Sequence, residues 1–133
     1  MGIQKVEQYL KDAGVFYLST TDGNKPKCRP LGLHLLLEDK IYFGVGSFKD
    51  VYAQIQNNPY VEICACKDRE FLRYYGKAVF EADDKIADMV LASAPHLQQI
   101  YNETTGNRLA MFHLEESTAE FRSMMEVRES YTF

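Results

Sequence analysis

Cysteine, basic charge and long apolar runs are all scarce in this sequence, and each scarcity excludes a class of protein. Three cysteines in 133 residues do not make a disulfide-stapled scaffold. Cys64 and Cys66 lie two apart in a strand-like run and share a face, but no nearby residues supply the further pair of ligands that a metal site needs. Free thiols are therefore expected, and no metal. Lysine and arginine number 15 against 19 aspartates and glutamates, for a net charge of −4 and a pI near 5.4. A nucleic-acid binder needs a basic face to neutralise phosphates, which excludes that class. No run approaches the roughly 18 apolar residues of a membrane span. The first residues, Met1-Gly2-Ile3-Gln4-Lys5, lack the apolar core of a signal peptide, so a cytoplasmic protein is expected. Tryptophan is absent, and the aromatic content rests on nine tyrosines and eight phenylalanines.

What is present suits one globular domain over residues 1–133. Hydrophobic residues make up 46% and charged residues 26%, which excludes a disordered chain. Ile3, Val6, Leu10 and Ala13 form an apolar stripe at helical spacing, stopped by Gly14. Val15 to Thr20 reads as a strand, Asp22-Gly23-Asn24 as a turn, and Lys27 to Leu37 as a long second strand, the pair making a hairpin. Pro26 and Pro30 place that strand at an edge or a bulge. Leu31, Leu33, Leu35 and Leu37 alternate onto one face, with Gly32, His34 and Leu36 on the other. Tyr60 to Lys67 and Phe71 to Ala82 are further strands, Gly76 marking a bulge. A helix with Ile86, Met89, Val90 and Ala94 on one face opens at Asp83-Asp84 and is interrupted at Pro95. A short helical piece over His96 to Tyr101 follows, then a loop at Thr104-Thr105-Gly106-Asn107. Leu109 to Leu114 and Ala119 to Met124 are the last strands, and the tail to Phe133 carries no clear pattern. Six or seven mostly antiparallel strands with short peripheral helices predict an α+β, mainly β fold: a small, Greek-key-like barrel that loses its edges by closing.

The most informative stretch runs from Ile41 to Ile55. Ile41, Tyr42, Phe43 and Val45 are strand formers, and Gly44 and Gly46 allow a turn and a close approach. Ser47 is expected to cap a helix, with Asp50 completing a capping box. Phe48, Val51, Tyr52 and Ile55 would share one face of that helix. Lys49 falls in its first turn, where the macrodipole disfavours a cation and a bound anion would offset the penalty. The glycine spacing matches neither a Walker A loop nor a dinucleotide fingerprint. The stretch alone therefore leaves two readings open, an anion site or a capped turn with Lys49 in water.

Four segments taken together narrow this. Cys28-Arg29-Pro30-Leu31-Gly32-Leu33-His34 precedes the glycine loop, Ser47 and Lys49 open the helix, Gln54-Ile55-Gln56-Asn57-Asn58-Pro59-Tyr60-Val61 follows, and Tyr74-Tyr75-Gly76-Lys77-Ala78 lies in the next strand. Their order resembles the pyridoxamine 5′-phosphate oxidase-like family of FMN-binding split barrels, which includes 5-nitroimidazole reductases. The resemblance spans residues 10–125 and implies FMN bound in a groove between the two subunits of a homodimer. It implies that Arg29, with Pro30 and Leu31 beside it, contacts the FMN phosphate, that Phe43 and Gly44 lie by the flavin, and that Ser47 and Lys49 hold the phosphate. Arg73 would serve the partner's flavin or stand as a solvated strand-face arginine. His34 stands where the oxidase has a lysine that faces substrate, and is either a proton donor near the flavin or a strand-face histidine. His96, His113, Tyr74 and Tyr75 are expected to be structural, and Glu115-Glu116 solvated.

The sequence also departs from the oxidase. Phe71 replaces a flavin-contacting glutamine, and Phe48 replaces a second basic residue beside Lys49. The oxidase carries a C-terminal extension with a substrate-binding arginine and tryptophan, and this chain has no tryptophan and ends soon after its last expected strand. Formation of pyridoxal phosphate is therefore not expected. The expectation is an FMN-dependent oxidoreductase that passes electrons from NADH or NADPH to a small organic acceptor, the flavin supplying the chemistry. The alternatives are a flavin-binding protein for storage or redox sensing, or the same barrel holding haem or a deazaflavin.

Overall fold

The computed structural model describes Gly2–Phe133, and no helix in it is long and apolar enough to cross a membrane. Helix α1 (Gly2–Ala13) buries Ile3, Val6 and Leu10 of the expected stripe. It ends as Gly14 takes φ +82° and returns its N–H to the Leu10 carbonyl at 3.0 Å, a cap that only glycine adopts without strain. Strands β1 (Phe16–Asp22) and β2 (Lys25–Leu31) form the expected hairpin around Gly23-Asn24.

The long second strand divides in two. β2 stops at Leu31, and β3 (His34–Leu37) pairs with β4 (Lys40–Gly46) at the opposite end of the sheet. The cause is visible in the residues. Lys25 to Leu31 carries two prolines and three cations and is mostly exposed, which suits a solvated edge, whereas His34-Leu35-Leu36-Leu37 is half-buried on both faces. The leucine alternation survives for Leu33, Leu35 and Leu37, which share one cluster, but Leu31 packs with Leu36 on the other.

The remaining strands are β5 (Tyr60–Lys67), β6 (Glu70–Phe80), β7 (Leu109–Ser123) and β8 (Val127–Thr132). All pairings are antiparallel, in the order β2-β1-β5-β6-β7-β4-β3, with β8 also on β7. The fold is thus mainly β with eight strands, and the sheet stays open at β2 and β3: a split barrel whose edges are not removed by closure. The two expected last strands are one 15-residue strand, bent at Glu116, where φ is +50°. Its far edge is shared, residues 109–112 pairing β4 and residues 118–122 pairing β8. The tail is therefore a strand, docked by Tyr131 against Phe121 (6.1 Å between ring centres) and Phe133 against Tyr74 (6.3 Å). At Gly76 the β6–β7 register slips as expected for a bulge, and a Cβ there would come within 2.8 Å of Ser117.

Helix α2 (Asp50–Asn57) starts later than the sequence suggests. Lys49, extended, is its N-cap, and no side chain caps it, so the Ser47–Asp50 capping box does not form. Helices α3 (Lys85–Ser93) and α4 (Pro95–Gln98) lie beyond β6. Two apolar clusters result. The larger joins α1 to Phe16, Leu18, Phe43, Ile63, Leu72, Phe112 and Phe121, and the smaller joins Ile86, Ala87 and Val90 of α3 to Tyr42, Leu109 and Met111. β4 is covered on both faces, which is why its sequence is a near-continuous apolar run and not an alternation.

Candidate functional site

Arg29 points in from the edge strand β2, opposite Leu18 of β1. Its Nη1 donates to the Leu18 carbonyl at 3.2 Å and to Thr20 Oγ1 at 2.7 Å, and its Nη2 donates to Gln54 Oε1 at 2.9 Å. Thr20 Oγ1 donates to the same Gln54 oxygen at 2.6 Å, so β1, β2 and α2 are tied at one point. Every acceptor is neutral. Burial pushes the Arg29 pKa down, and no carboxylate among the described residues forms an ion pair with it. A guanidinium has five N–H donors, and three are used here, leaving two to offer. A half-buried cation without a counter-ion is costly alone and is completed by an anion.

Lys49 stands beside it, exposed at the start of α2, with its ammonium 5.9 Å from the Phe48 ring centre and no ion pair among the described residues. Arg29 and Lys49 both line two adjoining spaces. One is an open groove of about 630 Å³ that also meets Asp22, Lys27, Asp50 and Gln54. The other is a cavity of about 220 Å³ reached by Pro30, Leu31, Gly32, Leu33, Gly44 and Gly46. The glycines matter because a Cβ at Gly44 would lie 2.6 Å from Leu33 Cδ2 and 2.9 Å from Met111 Sδ. A Cβ at Gly46 would lie 2.8 Å from Phe48 Cε1 and 3.1 Å from the Tyr101 hydroxyl. The cavity and the groove thus share Arg29, Lys49 and Val51, and the groove adds Lys27 against Asp22 and Asp50.

Of the residues singled out from sequence, Arg29, Pro30, Leu31, Gly44 and Lys49 are brought together around the cavity. The others are not. The Phe43 ring is fully buried in the larger cluster, 5.7 Å from Phe16 and 5.6 Å from Phe112. Ser47 is half-buried and donates its backbone N–H to the Arg108 carbonyl at 2.9 Å. His34 faces α1: Nε2 meets Glu7 Oε2 at 3.0 Å, Nδ1 meets the Gly32 carbonyl at 3.3 Å, and the ring packs edge-on to Phe16. Arg73 projects from β6 with a bidentate pair to Glu62 at 2.7 and 2.9 Å, which raises its pKa. His113 is buried against Tyr42 and pairs with Glu115 at 2.9 Å, so that carboxylate is not simply solvated. No group of His, Cys, Asp and Glu among the described residues could hold a metal ion.

Sequence reasoning missed Thr20, Gln54, Leu33 and Tyr101. Thr20 carried a signal, since it continues the inward face of Phe16 and Leu18 and a polar residue there needs a partner. Tyr101 carried none, because only the turn of the chain after Pro95 brings it back over Gly46.

The family model for pyridoxamine 5′-phosphate oxidase matches residues 3–124. Among solved structures, a NimC/NimA family protein from Clostridium acetobutylicum is 26% identical, with a TM-score of 0.87 over 99% of this chain and 92% of that one. A pyridoxamine 5′-phosphate oxidase-related, FMN-binding protein from Nostoc punctiforme is 18% identical, with a TM-score of 0.59 over 99% and 94%. A FAD-binding protein from Mesorhizobium loti is 13% identical, with a TM-score of 0.61 over 90% and 94%. No curated protein matches the chain.

Proposed function

Because this chain belongs to the pyridoxamine 5′-phosphate oxidase family, we propose that it is a homodimeric FMN-dependent oxidoreductase, oxidising NADH or NADPH and reducing a small organic acceptor. The reaction moves two electrons and one hydrogen as hydride from the nicotinamide, and the acceptor gains a second proton from solvent. FMN, when bound, supplies this hydride chemistry.

The observation that carries the reading is Arg29, a half-buried cation whose three protein acceptors are all neutral, beside the unpaired Lys49. A phosphate monoester is the anion that such a pair suits: the guanidinium offers a planar fork and the ammonium a mobile point charge. Pro30, Leu31 and Gly44 would hold the flat ring, and Leu33, Leu97 and Leu109 would keep water from it. FMN ends in this phosphate, as the Nostoc relative's ligand does, and FAD does not. Thr20 and Gln54 orient Arg29.

A cavity of about 220 Å³ is small for a flavin, since ligand sites usually measure 300–1,000 Å³. A second copy of the chain would supply the missing wall. Arg73, held on the outer face of the sheet by Glu62, would then serve the partner's flavin.

The test is spectroscopic. Purified protein titrated with FMN should bind it stoichiometrically with a shifted flavin spectrum, and anaerobic NADH or NADPH should bleach the band. No saturable binding of FMN would defeat the proposal. Binding without bleaching by either nicotinamide would reduce the protein to a flavin carrier.

A further inference from the structure

The side chains on the 220 Å³ cavity are apolar except at Arg29, Lys49 and Tyr101. Tyr101 is thus the one uncharged side chain there that can form a hydrogen bond. It is half-buried, and its hydroxyl has no partner among the described residues. Burial pushes its pKa up, so at neutral pH the phenol keeps its proton and can donate. A donor held on a cavity with no protein acceptor is completed by what the cavity holds.

The phenol is fixed at one point along the cavity. Its oxygen lies 3.1 Å from where a Cβ at Gly46 would stand, and Phe48 Cε1 lies 2.8 Å from the same point, so the missing side chain lets both rings close over β4. The Tyr101 N–H donates to the Leu97 carbonyl at 2.9 Å, Asn102 Nδ2 to the Gln98 carbonyl at 2.7 Å, and Thr105 Oγ1 to the Ile100 carbonyl at 2.7 Å. The chain then returns to β4, where Leu109 pairs with Gly46 and the Arg108 carbonyl accepts the Ser47 N–H. All these bonds hold the segment without using the Tyr101 hydroxyl.

Gly46 lies between the two ends of the cavity. On one side is Gly44, packed against Leu33, and on the other the Gly46 carbonyl accepts the Lys49 N–H at 3.1 Å. The hydroxyl therefore faces the middle, with the apolar end at Gly44 and Leu33 and the cationic end at Lys49 and Arg29. A flavin with its ring at the first end and its phosphate at the second has its hydroxylated ribityl chain between them.

We propose that Tyr101 reads the ribityl chain of FMN, donating its hydroxyl hydrogen to a ribityl oxygen from its place over Gly46. This rests on the reading of the cavity as the flavin site. Arg29 and Lys49 then read the phosphate and Tyr101 the polyol, two separate parts of one ligand.

The experiment titrates flavin-free wild type and Tyr101→Phe with FMN, riboflavin and lumiflavin. Riboflavin keeps the ribityl chain and lacks the phosphate, and lumiflavin lacks both. The substitution should weaken FMN and riboflavin by the same factor, about threefold to tenfold for one hydrogen bond, and leave lumiflavin unchanged. The ratio of FMN to riboflavin affinity should therefore keep its wild-type value. Because the hydroxyl has no protein partner, the flavin-free variant should unfold at the wild-type urea concentration. A lower midpoint would give the hydroxyl a structural role instead. A loss confined to FMN would move it to the phosphate, an equal loss with lumiflavin would move it to the ring, and no loss with any flavin would leave it in water. Each of these overturns the ribityl contact while the flavin reading stands. Wild type that binds none of the three would remove both.

Discussion

Arg29 is held by the amide oxygen of Gln54, Nη2 to Oε1 at 2.9 Å, and not by a carboxylate. An amide positions the guanidinium without neutralising it. Gln54→Glu would supply the counter-ion that the protein withholds. A charge-assisted bond is worth about 1.5–3 kcal/mol, so the variant should hold its fold at least as well as wild type in urea. It should bind FMN about tenfold to a hundredfold more weakly. Paired urea and FMN titrations check both halves. A variant that keeps wild-type FMN affinity would show that the phosphate does not depend on the charge of Arg29.

Gly44 is set among Leu33, Leu109 and Met111. In Gly44→Ala the new methyl must displace Leu33 Cδ2 and Met111 Sδ, both under 3 Å from it. Overpacking of this kind costs about 1–3 kcal/mol. The variant should lose that much stability by denaturant unfolding and bind FMN more weakly, because Leu33 and Gly44 line the same cavity.

Much of the architecture was legible in the sequence because each signal was local. Gly14, Gly23 and Pro59 mark breaks that depend only on neighbouring dihedrals, and Tyr60 to Lys67 is a strand as its composition implies. The failures are where distant pairing decides. Lys27 to Leu37 is one extended run in composition, but its halves find partners at opposite ends of the sheet. Val127 to Thr132 is mostly exposed, so the free edge of β7, not apolar burial, makes it a strand. The same division applies to the site. Arg29, Gly44 and Lys49 belong to segments whose order carries a family pattern. Ser47 looks like a cap, but its N–H goes to Arg108, over sixty residues away in sequence, and the helix begins beyond it.

His34 is held between α1 and the Gly32 carbonyl. Both ring nitrogens have partners, Glu7 Oε2 and the Gly32 carbonyl, and the ring packs on Phe16. His34→Ala should therefore cost about 1–2 kcal/mol of stability. FMN affinity and turnover should change little. A large fall in turnover with unchanged urea midpoint would return His34 to the reacting centre.

The proposed dimer has its own test. Sedimentation of the FMN-loaded protein should give twice the 15.3 kDa chain mass. Arg73→Glu sets two carboxylates against each other on the outer sheet face, where Glu62 now chelates the guanidinium. It should shift the population toward monomer and weaken FMN. A wild-type monomer that still holds FMN tightly would contradict the two-subunit site.

Arg29 and Lys49 are proposed to read a phosphate, and a titration with two flavins decides it. Apoprotein is titrated with FMN and with riboflavin, which lacks only the phosphate, for wild type, Arg29→Ala and Lys49→Ala. Wild type should prefer FMN strongly. Each substitution should weaken FMN by about tenfold to a hundredfold. Riboflavin binding should stay nearly constant, so the gap between the two flavins narrows. If both variants keep the full wild-type preference for FMN, the phosphate lies elsewhere and Arg29 and Lys49 do not read it.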